Sequence, residues 1–200
     1  MLRQIVIAPC YSLSVRRGVR TFQKMTMRFV MIIAFAAVPA MAHGWQSSAR
    51  ESASLAPLPA DEPAAVIQAY AARVWGWRGW FADHTWISVK PQNADSYTVY
   101  EVIGWRLRRG LPAVRIERDI PDRHWYGNAP RLLLDIRGEQ AEELAKDIAA
   151  AAESYPYPRE YRAFPGPNSN TFTAWIANQV PHLGLQLPWR AVGKSFADRS

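Results

Sequence analysis

Cysteine is almost absent from this sequence. The 200 residues contain only Cys10, which precedes the segment that we expect to form the mature protein. A chain without cysteine after residue 42 forms no disulfide, holds no metal through thiolates and has no cysteine nucleophile. The four histidines lack metal-ligand spacing, so the sequence specifies no metal and no other cofactor. Any nucleophile must therefore be a serine, threonine, lysine or carboxylate side chain.

Acidic residues are missing from the first 42 residues, which carry six lysines and arginines. The formal net charge of +7 therefore belongs mostly to this leader, and the remaining chain is close to neutral at +1. A nucleic-acid site needs basic residues clustered on the folded surface. The composition thus gives no reason to expect a nucleic-acid partner.

A long hydrophobic run is also missing. Residues 29–42 form an uncharged apolar run of 14 residues that follows Arg28 and ends in small residues. A membrane helix needs about 20 apolar residues, whereas this pattern is typical of a secretory signal. We expect export to the periplasm, with a membrane anchor formed by residues 29–42 as the alternative. Residues 1–24 are unlike a usual signal start, so Met25 or Met27 is a candidate for the true start.

A linker and one globular domain follow the leader. Residues 43–60 are rich in Ser, Ala and Pro without an apolar period, which predicts an extended linker that tethers rather than packs. Residues 61–196 have the size of a single domain. Asp61 followed by Pro63 is typical of a helix start, and the apolar spacing behind it predicts a first helix near residues 62–75.

Three segments rich in β-branched and aromatic residues come next. They are "DHTWISVKP", "SYTVYEVIGW" and "AVRIER", starting at Asp83, Ser96 and Ala113. Turn-forming stretches, "PQNAD" and "RRGLP", separate them, so an antiparallel meander is expected. The later segment "RLLLDIRG" is either a fourth strand or the start of a helix.

Two helices are expected in the last third of the domain. The segment "EQAEELAKDIAAAAES" has apolar residues on one face and charges on the other, and "TFTAWIANQV" predicts a short final helix. The fold class is therefore α+β, with an antiparallel sheet of three to five strands packed with helices.

Ser169 lies where a loop becomes the final helix, in the segment "FPGPNSNTFTAWI". The simpler interpretation is a helix N-cap, whose oxygen accepts an amide hydrogen bond worth about 1 kcal/mol. The same position also fits a nucleophile, because the positive end of the helix dipole and free backbone amides can form an oxyanion hole. A serine nucleophile further needs a base within reach.

His84 is the candidate base, because it opens a predicted strand after a tight aromatic turn. The alternative is a half-buried strand histidine bonded to backbone. His124 lies in the turn-rich stretch "PDRHWYGNAP", where a histidine faces solvent or binds an anion weakly. His43 and His182 are assigned no function.

Glu101 is the candidate third residue. A hairpin register that pairs Lys90 with Tyr97 puts Glu101 opposite Trp86. Glu101 then lies on the same sheet face as His84, near enough to orient it, although a one-residue slip would reverse the faces. The alternative is a surface glutamate paired with Arg115 or Lys90 across strands.

Eight tryptophans lie in the predicted domain, many beside arginine or glycine. Such residues can form a platform for a sugar or a lipid. Core packing is the alternative, since strand spacing from His84 to Trp86 and helix spacing from Phe172 to Trp175 would bury several aromatic rings.

Four segments, "HTWISVKP", "YEVIGW", "DRHWYGNAP" and "FPGPNSNTFTAWI", together resemble the bacterial family DUF3750 over roughly residues 64–194. The function of that family is not established. The chain is also distantly similar to circularly permuted papain-like proteins, which include NlpC-type and PPPDE peptidases and lecithin retinol acyltransferase. Those proteins have a histidine at the start of an early strand and a late cysteine at a helix N-terminus, in an Asn-Cys-Asn-x-Phe type motif.

The distant resemblance implies roles for three residues. His84 takes the base position, Ser169 the nucleophile position and Glu101 the polar third position. Candidate substrate contacts are Asn168, Asn170, Trp86 and His124.

The serine is a departure from the papain-like pattern. A hydroxyl must lose its proton in concert with attack and needs tighter base geometry than a thiol. We therefore expect a papain-like domain that binds a cell-envelope peptide, glycan or lipid without catalysis. The alternative is a Ser-His hydrolase or acyltransferase acting on amide or ester bonds. Membrane contact is expected only through the N-terminal segment.

Overall fold

A single five-stranded sheet organises the part of the chain that the computed structural model describes, residues 50–199. The strands are β1 (Val66–Arg73), β2 (Asp83–Lys90), β3 (Thr98–Val102), β4 (Val114–Arg118) and β5 (Arg131–Arg137). All neighbours pair antiparallel in the order β4-β3-β2-β1-β5. Two helices follow, α1 (Glu139–Glu153) and α2 (Ser169–Gln179). The α+β class expected from the sequence is confirmed.

Strand β1 corrects one prediction. The helix expected near residues 62–75 does not form, because Val66–Arg73 is the central strand, paired with β2 on one side and β5 on the other. Its first seven residues are all buried. A strand covered on both faces shows no polar alternation, and in an alanine-rich stretch the remaining apolar pattern resembles a helical one.

The β2–β3 hairpin has the register that the sequence predicted. Ile87 pairs with Tyr100 and Ser88 pairs with Val99, a register that also brings Trp86 opposite Glu101. The segment "RLLLDIRG" is a strand, and helix α1 begins directly after it, at Glu139.

The two sheet faces are built differently. The helix face packs apolar side chains such as Ile67, Ile87 and Val89 against α1 and α2. The opposite face, here called the loop face, carries Tyr70 and Trp86. It also holds the buried polar residues Gln68, His84, Ser88, Lys90 and Glu101. Alternation along the strands explains the division, since successive side chains point to opposite faces.

Irregular segments cover the loop face. Pro121 O accepts hydrogen bonds from Trp86 Nε1 at 2.7 Å and from Ser88 Oγ at 3.0 Å. Asp122 accepts from Ser52 Oγ at 2.8 Å and from the backbone N–H of Leu55 at 2.6 Å. The prediction that the linker does not pack is therefore wrong for its described part, which packs against the domain.

The predicted leader, residues 1–42, lies outside the described residues. Within residues 50–199, no helix is long and apolar enough to cross a membrane.

Candidate functional site

Helix α2 begins with a reciprocal cap made by Asn168. Its Oδ1 accepts from the backbone N–H of Asn170 at 2.9 Å and of Thr171 at 3.1 Å. The Asn168 N–H in turn donates to Thr171 Oγ1 at 3.1 Å. The capping role predicted for Ser169 is therefore wrong by one residue, because Ser169 is the first residue inside the helix. Asparagine is as good an N-cap as serine and already occupies the preceding position.

The C-terminal segment locks this helix start in place. Asn168 Nδ2 donates to Ala163 O and Val192 O, both at 3.0 Å, and Thr171 Oγ1 donates to Gly193 O at 2.8 Å. Gly193 has φ of 92°, and a Cβ there would collide with the Asn168 side chain. Only glycine allows this close approach at that backbone angle.

Asn170 joins the helix start to strand β2. Its Nδ2 donates to Asp83 O at 2.9 Å, and its Oδ1 accepts from Thr85 Oγ1 at 2.9 Å. These two partners flank His84 in the sequence, so the bonds bring the first turn of α2 beside the candidate base. The amide groups of Asn168 and Asn170, which were expected to contact substrate, are thus engaged within the protein.

Ser169 differs from its polar neighbours. Its hydroxyl has no hydrogen-bond partner among residues 50–199, although the residue is only 5% exposed. The first N–H groups of a helix have no partner inside it. Asn168 takes those of Asn170 and Thr171, which leaves the Ser169 N–H without one in the described part of the chain. Ser169 therefore offers an unpaired hydroxyl and an unpaired backbone donor.

Glu101 is the centre of a buried ionic network on the loop face. Its carboxylate lies 3.2 Å from His84 Nε2, 2.7 Å from Arg115 Nη1 and 2.6 Å from Arg123 Nη2. Burial alone would raise the pKa of Glu101, but the His84 hydrogen bond and the charge of Arg123 outweigh burial and lower this pKa to about 2. Glu101 is therefore ionised at neutral pH. The alternative is right about the cross-strand partner, since Arg115 on β4 pairs with Glu101, and wrong about the surface location, since Glu101 is fully buried.

Burial sets the charge of His84, and the Glu101 contact sets its tautomer. Burial lowers the pKa of His84 below its ordinary 6.5, against the opposing effect of Glu101, so the ring is neutral at neutral pH. An ionised carboxylate only accepts hydrogen bonds, so Nε2 carries the ring hydrogen. The Nδ1 atom then carries a lone pair, and no described residue donates to it.

Aromatic packing fixes the orientation of the His84 imidazole. The Trp125 ring stacks on the imidazole with centroids 3.7 Å apart and planes at 8°. The Arg123 guanidinium lies over the rings of both Trp86 and Trp125, at 5.6 and 5.7 Å. His84 is thus fixed by its neighbours before any ligand binds.

Ser169 and His84 meet at one cavity of about 610 Å³, formed where the loops at this end of the sheet converge. Aromatic side chains dominate its lining. They are Trp75, Trp77, Phe81, Trp105, Trp125, Tyr126, Tyr161 and Phe164. Four of these residues, Trp75, Trp77, Trp105 and Trp125, belong to the tryptophans that the sequence offered as a ligand platform, and the other four were not predicted.

Two predicted substrate contacts are not brought to this cavity. Trp86 is fully buried in the loop face, and His124 points its Nδ1 at Glu51 O, 3.0 Å away. Neither residue lines the cavity. Within residues 50–199 no three His, Asp or Glu side chains are grouped so that they could hold a metal ion.

The fold and the site define an α+β domain with a buried His-Glu pair and a helix N-terminal serine at one aromatic cavity. Residues 64–196 match the protein of unknown function family DUF3750, and the chain belongs to that family. No curated protein and no solved structure matches the chain significantly. The distant papain-like similarity stays a prediction.

Proposed function

We propose that this protein is a serine-dependent acyl hydrolase or acyltransferase acting on ester or amide bonds. One observation carries the proposal: an unpaired hydroxyl and a neutral imidazole with a free Nδ1 lie at the same apolar cavity. Both residues line the cavity, so a bound substrate can supply the hydrogen-bond partners that these two groups lack within residues 50–199. The export predicted from residues 29–42 makes this a cell-envelope activity.

The reaction assigns one role to each group. Ser169 Oγ attacks the carbonyl carbon while its proton passes to His84 Nδ1, and the Ser169 N–H donates to the developing oxyanion. The protonated His84 then gives its proton to the leaving alcohol or amine. Water or an acceptor alcohol or amine attacks the acyl-Ser169 ester, with His84 again as base, and Ser169 is regenerated.

Glu101 acts as a positioning residue in this mechanism. It holds the tautomer that leaves Nδ1 free, and its charge stabilises the imidazolium formed during attack. Two arginines share that charge, Arg115 at 2.7 Å and Arg123 at 2.6 Å. The stabilisation left for His84 is therefore smaller than that from an unshared carboxylate.

A second candidate function is ligand binding without catalysis. It is favoured by the absence of a hydrogen bond between Ser169 and His84 in the described contacts, and by the lowered pKa of His84, which makes the ring a weaker base. Catalytic hydrogen bonds are often long before substrate binds and tighten in the complex, so this geometry is compatible with both functions.

Labelling with a fluorophosphonate separates the two. We expect one probe molecule per wild-type chain, attached to Ser169 by mass spectrometry of peptides. Ser169→Ala and His84→Ala should abolish labelling, because they remove the nucleophile and the base. Ser154→Ala is the matched control, since that serine lies at the end of α1, and it should label like wild type.

Folded wild-type protein that never labels would exclude the enzyme and favour binding without catalysis. Far-UV circular dichroism of each variant shows whether a loss of labelling reflects unfolding. Labelling that survives in Ser169→Ala would also contradict the assignment of the nucleophile.

A further inference from the structure

Exposed aromatic side chains surround the cavity. Trp77 is 67% exposed and Phe164 77%, and both also line the cavity. Trp80, in the same 3-10 turn as Trp77, is 81% exposed. We call these residues, with Trp75, Phe81 and Trp105, the cavity rim.

The rim leaves large apolar area in contact with water. A contiguous exposed apolar patch on a folded protein usually marks a binding surface. Tryptophan is moreover enriched where a protein meets the boundary between lipid and water, because the ring is apolar and its N–H remains polar.

Positive charge accompanies the rim. Three loops carry the exposed aromatic residues: 74–82, 103–112 and 159–167. With the neighbouring segment 188–190, they contain seven arginines and a single acid, Glu160. The chain after residue 42 is nearly neutral overall, so these loops are more basic than the rest of the domain. Asp83, directly after the first loop, is paired with Arg131 and Arg190.

Several of these arginines are available for a ligand. Arg78, Arg108, Arg109 and Arg159 are exposed, and none of them forms an ion pair within residues 50–199. Arg78 lies over the Trp77 ring at 5.2 Å. Anionic headgroups attract such cations by about 1 kcal/mol each near a membrane surface.

We propose that the cavity rim docks on anionic phospholipid membranes and that the cavity receives an acyl chain from that surface. The observations favour lipid over nucleic acid or glycan because the aromatic interior offers few hydrogen-bond partners to a polar ligand, while the arginines outside it match phosphate. The acyl-transfer part of this assignment rests on the proposed function, whereas the docking part does not. It adds a second membrane contact to the predicted N-terminal one.

Docking can be measured with the full chain and vesicles of phosphatidylcholine with one quarter phosphatidylglycerol. Lipids brominated in their acyl chains quench tryptophan fluorescence on contact. Trp45, which closely follows the N-terminal segment, is replaced by Phe in every protein compared, so that the quenching reports the rim even if that segment also binds. We expect wild type to be quenched, and the double variant Trp77→Phe, Trp80→Phe to lose more than half of the quenching. Leu58→Ser is the control, because Leu58 is exposed but does not line the cavity, and it should behave like wild type.

Charge gives an independent test of the same surface. Arg78→Gln and Arg109→Gln should each weaken binding to these vesicles about fivefold. Added salt should weaken wild type in the same way. Quenching that is equal in the rim variant and wild type would overturn docking. A single-stranded oligonucleotide that binds more tightly than vesicles and depends on the same arginines would also overturn it.

The two proposals fail in different ways. Ser169→Ala should be quenched by brominated vesicles like wild type but should release no fatty acid from them. Vesicle docking without fluorophosphonate labelling would contradict the proposed enzymatic function and support the lipid-binding surface. Labelling without docking would contradict the lipid-binding surface and support an enzyme that acts on soluble acyl substrates.

Discussion

The two faces of the sheet are stabilised by different physics. The helix face buries aliphatic side chains such as Ile67, Ile87 and Ile148, whose contribution is the removal of apolar surface from water. The loop face buries an ion cluster around Glu101, where desolvation opposes the attraction between charges. A buried ion cluster is a poor way to gain stability but a good way to fix the position and tautomer of His84. The loop face is thus the face organised for chemistry.

Removing the Glu101 carboxylate should have the largest effect on stability, and it disturbs only the loop face. Glu101→Gln leaves the buried Arg123 guanidinium with only Asp119 as counter-charge, at 3.6 Å, so we expect a loss of about 3–5 kcal/mol in the free energy of unfolding. Urea unfolding at pH 7 measures it. A loss below about 1 kcal/mol would contradict a network that depends on this charge.

The same variant should change the acid sensitivity. The pKa of Glu101 is lowered from 4.5 to about 2 by folding, so its contribution is complete above pH 4.5 and is lost as the pH falls towards 2. Wild type should therefore lose stability more steeply than Glu101→Gln between pH 4.5 and 3. Parallel profiles for the two proteins would contradict the lowered pKa.

A cavity in the helix face should lower the free energy of unfolding somewhat less, and this loss should not depend on pH. Ile148 is fully buried between α1 and the sheet. Ile148→Ala should lower the unfolding free energy by about 3 kcal/mol, and the control Ile148→Val by about 1 kcal/mol. The loss should be equal at pH 7 and pH 4, and a pH-dependent loss would erase the distinction between the faces.

Removing the N-cap of α2 should have an intermediate effect on stability. Asn168→Ala removes a cap worth about 1 kcal/mol and two hydrogen bonds to carbonyls; Ala163 O loses its side-chain donor, whereas Val192 O keeps Asn170 Nδ2 at 2.8 Å. We expect a total loss of about 2 kcal/mol by urea unfolding. Asn168→Ser keeps the cap acceptor only and should lose about half as much; equal losses would assign the whole effect to the carbonyls.

Ser169→Ala should have the smallest effect on stability. Its hydroxyl has no partner within the described residues, so removing it should change the unfolding free energy by less than about 0.5 kcal/mol. A larger loss in thermal or urea unfolding would give Ser169 a structural role. Full stability with loss of fluorophosphonate labelling would separate function from folding at this residue.

Local sequence chemistry was sufficient for the hairpin that carries His84 and Glu101. The turn "PQNAD" limits the register, and a correct register brings these two side chains to one face. The central strand β1 was mistaken for a helix because burial on both faces removed its alternation. The cap was misplaced by one residue because Asn168 and Ser169 are equally good caps, and only the tertiary bonds of Asn168 distinguish them.

The cavity could not be derived in the same way. Its walls come from loops far apart in the chain, and the rim tryptophans lie in short 3-10 turns that have no strand or helix period to indicate burial. Arg123 was missed for a related reason, because it lies in a turn-rich stretch and reaches Glu101 only through the tertiary fold.

The hydrogen bonds of residues 190–193 limit how the gene can be shortened for expression. Arg190 donates to Asp83 at the start of β2, while Val192 and Gly193 accept hydrogen bonds from the first turn of α2. A C-terminal truncation after residue 189 would therefore release both halves of the site at once, although it removes no residue of the sheet or of either helix. Affinity tags and fusion partners are better joined after residue 196, where the family match ends.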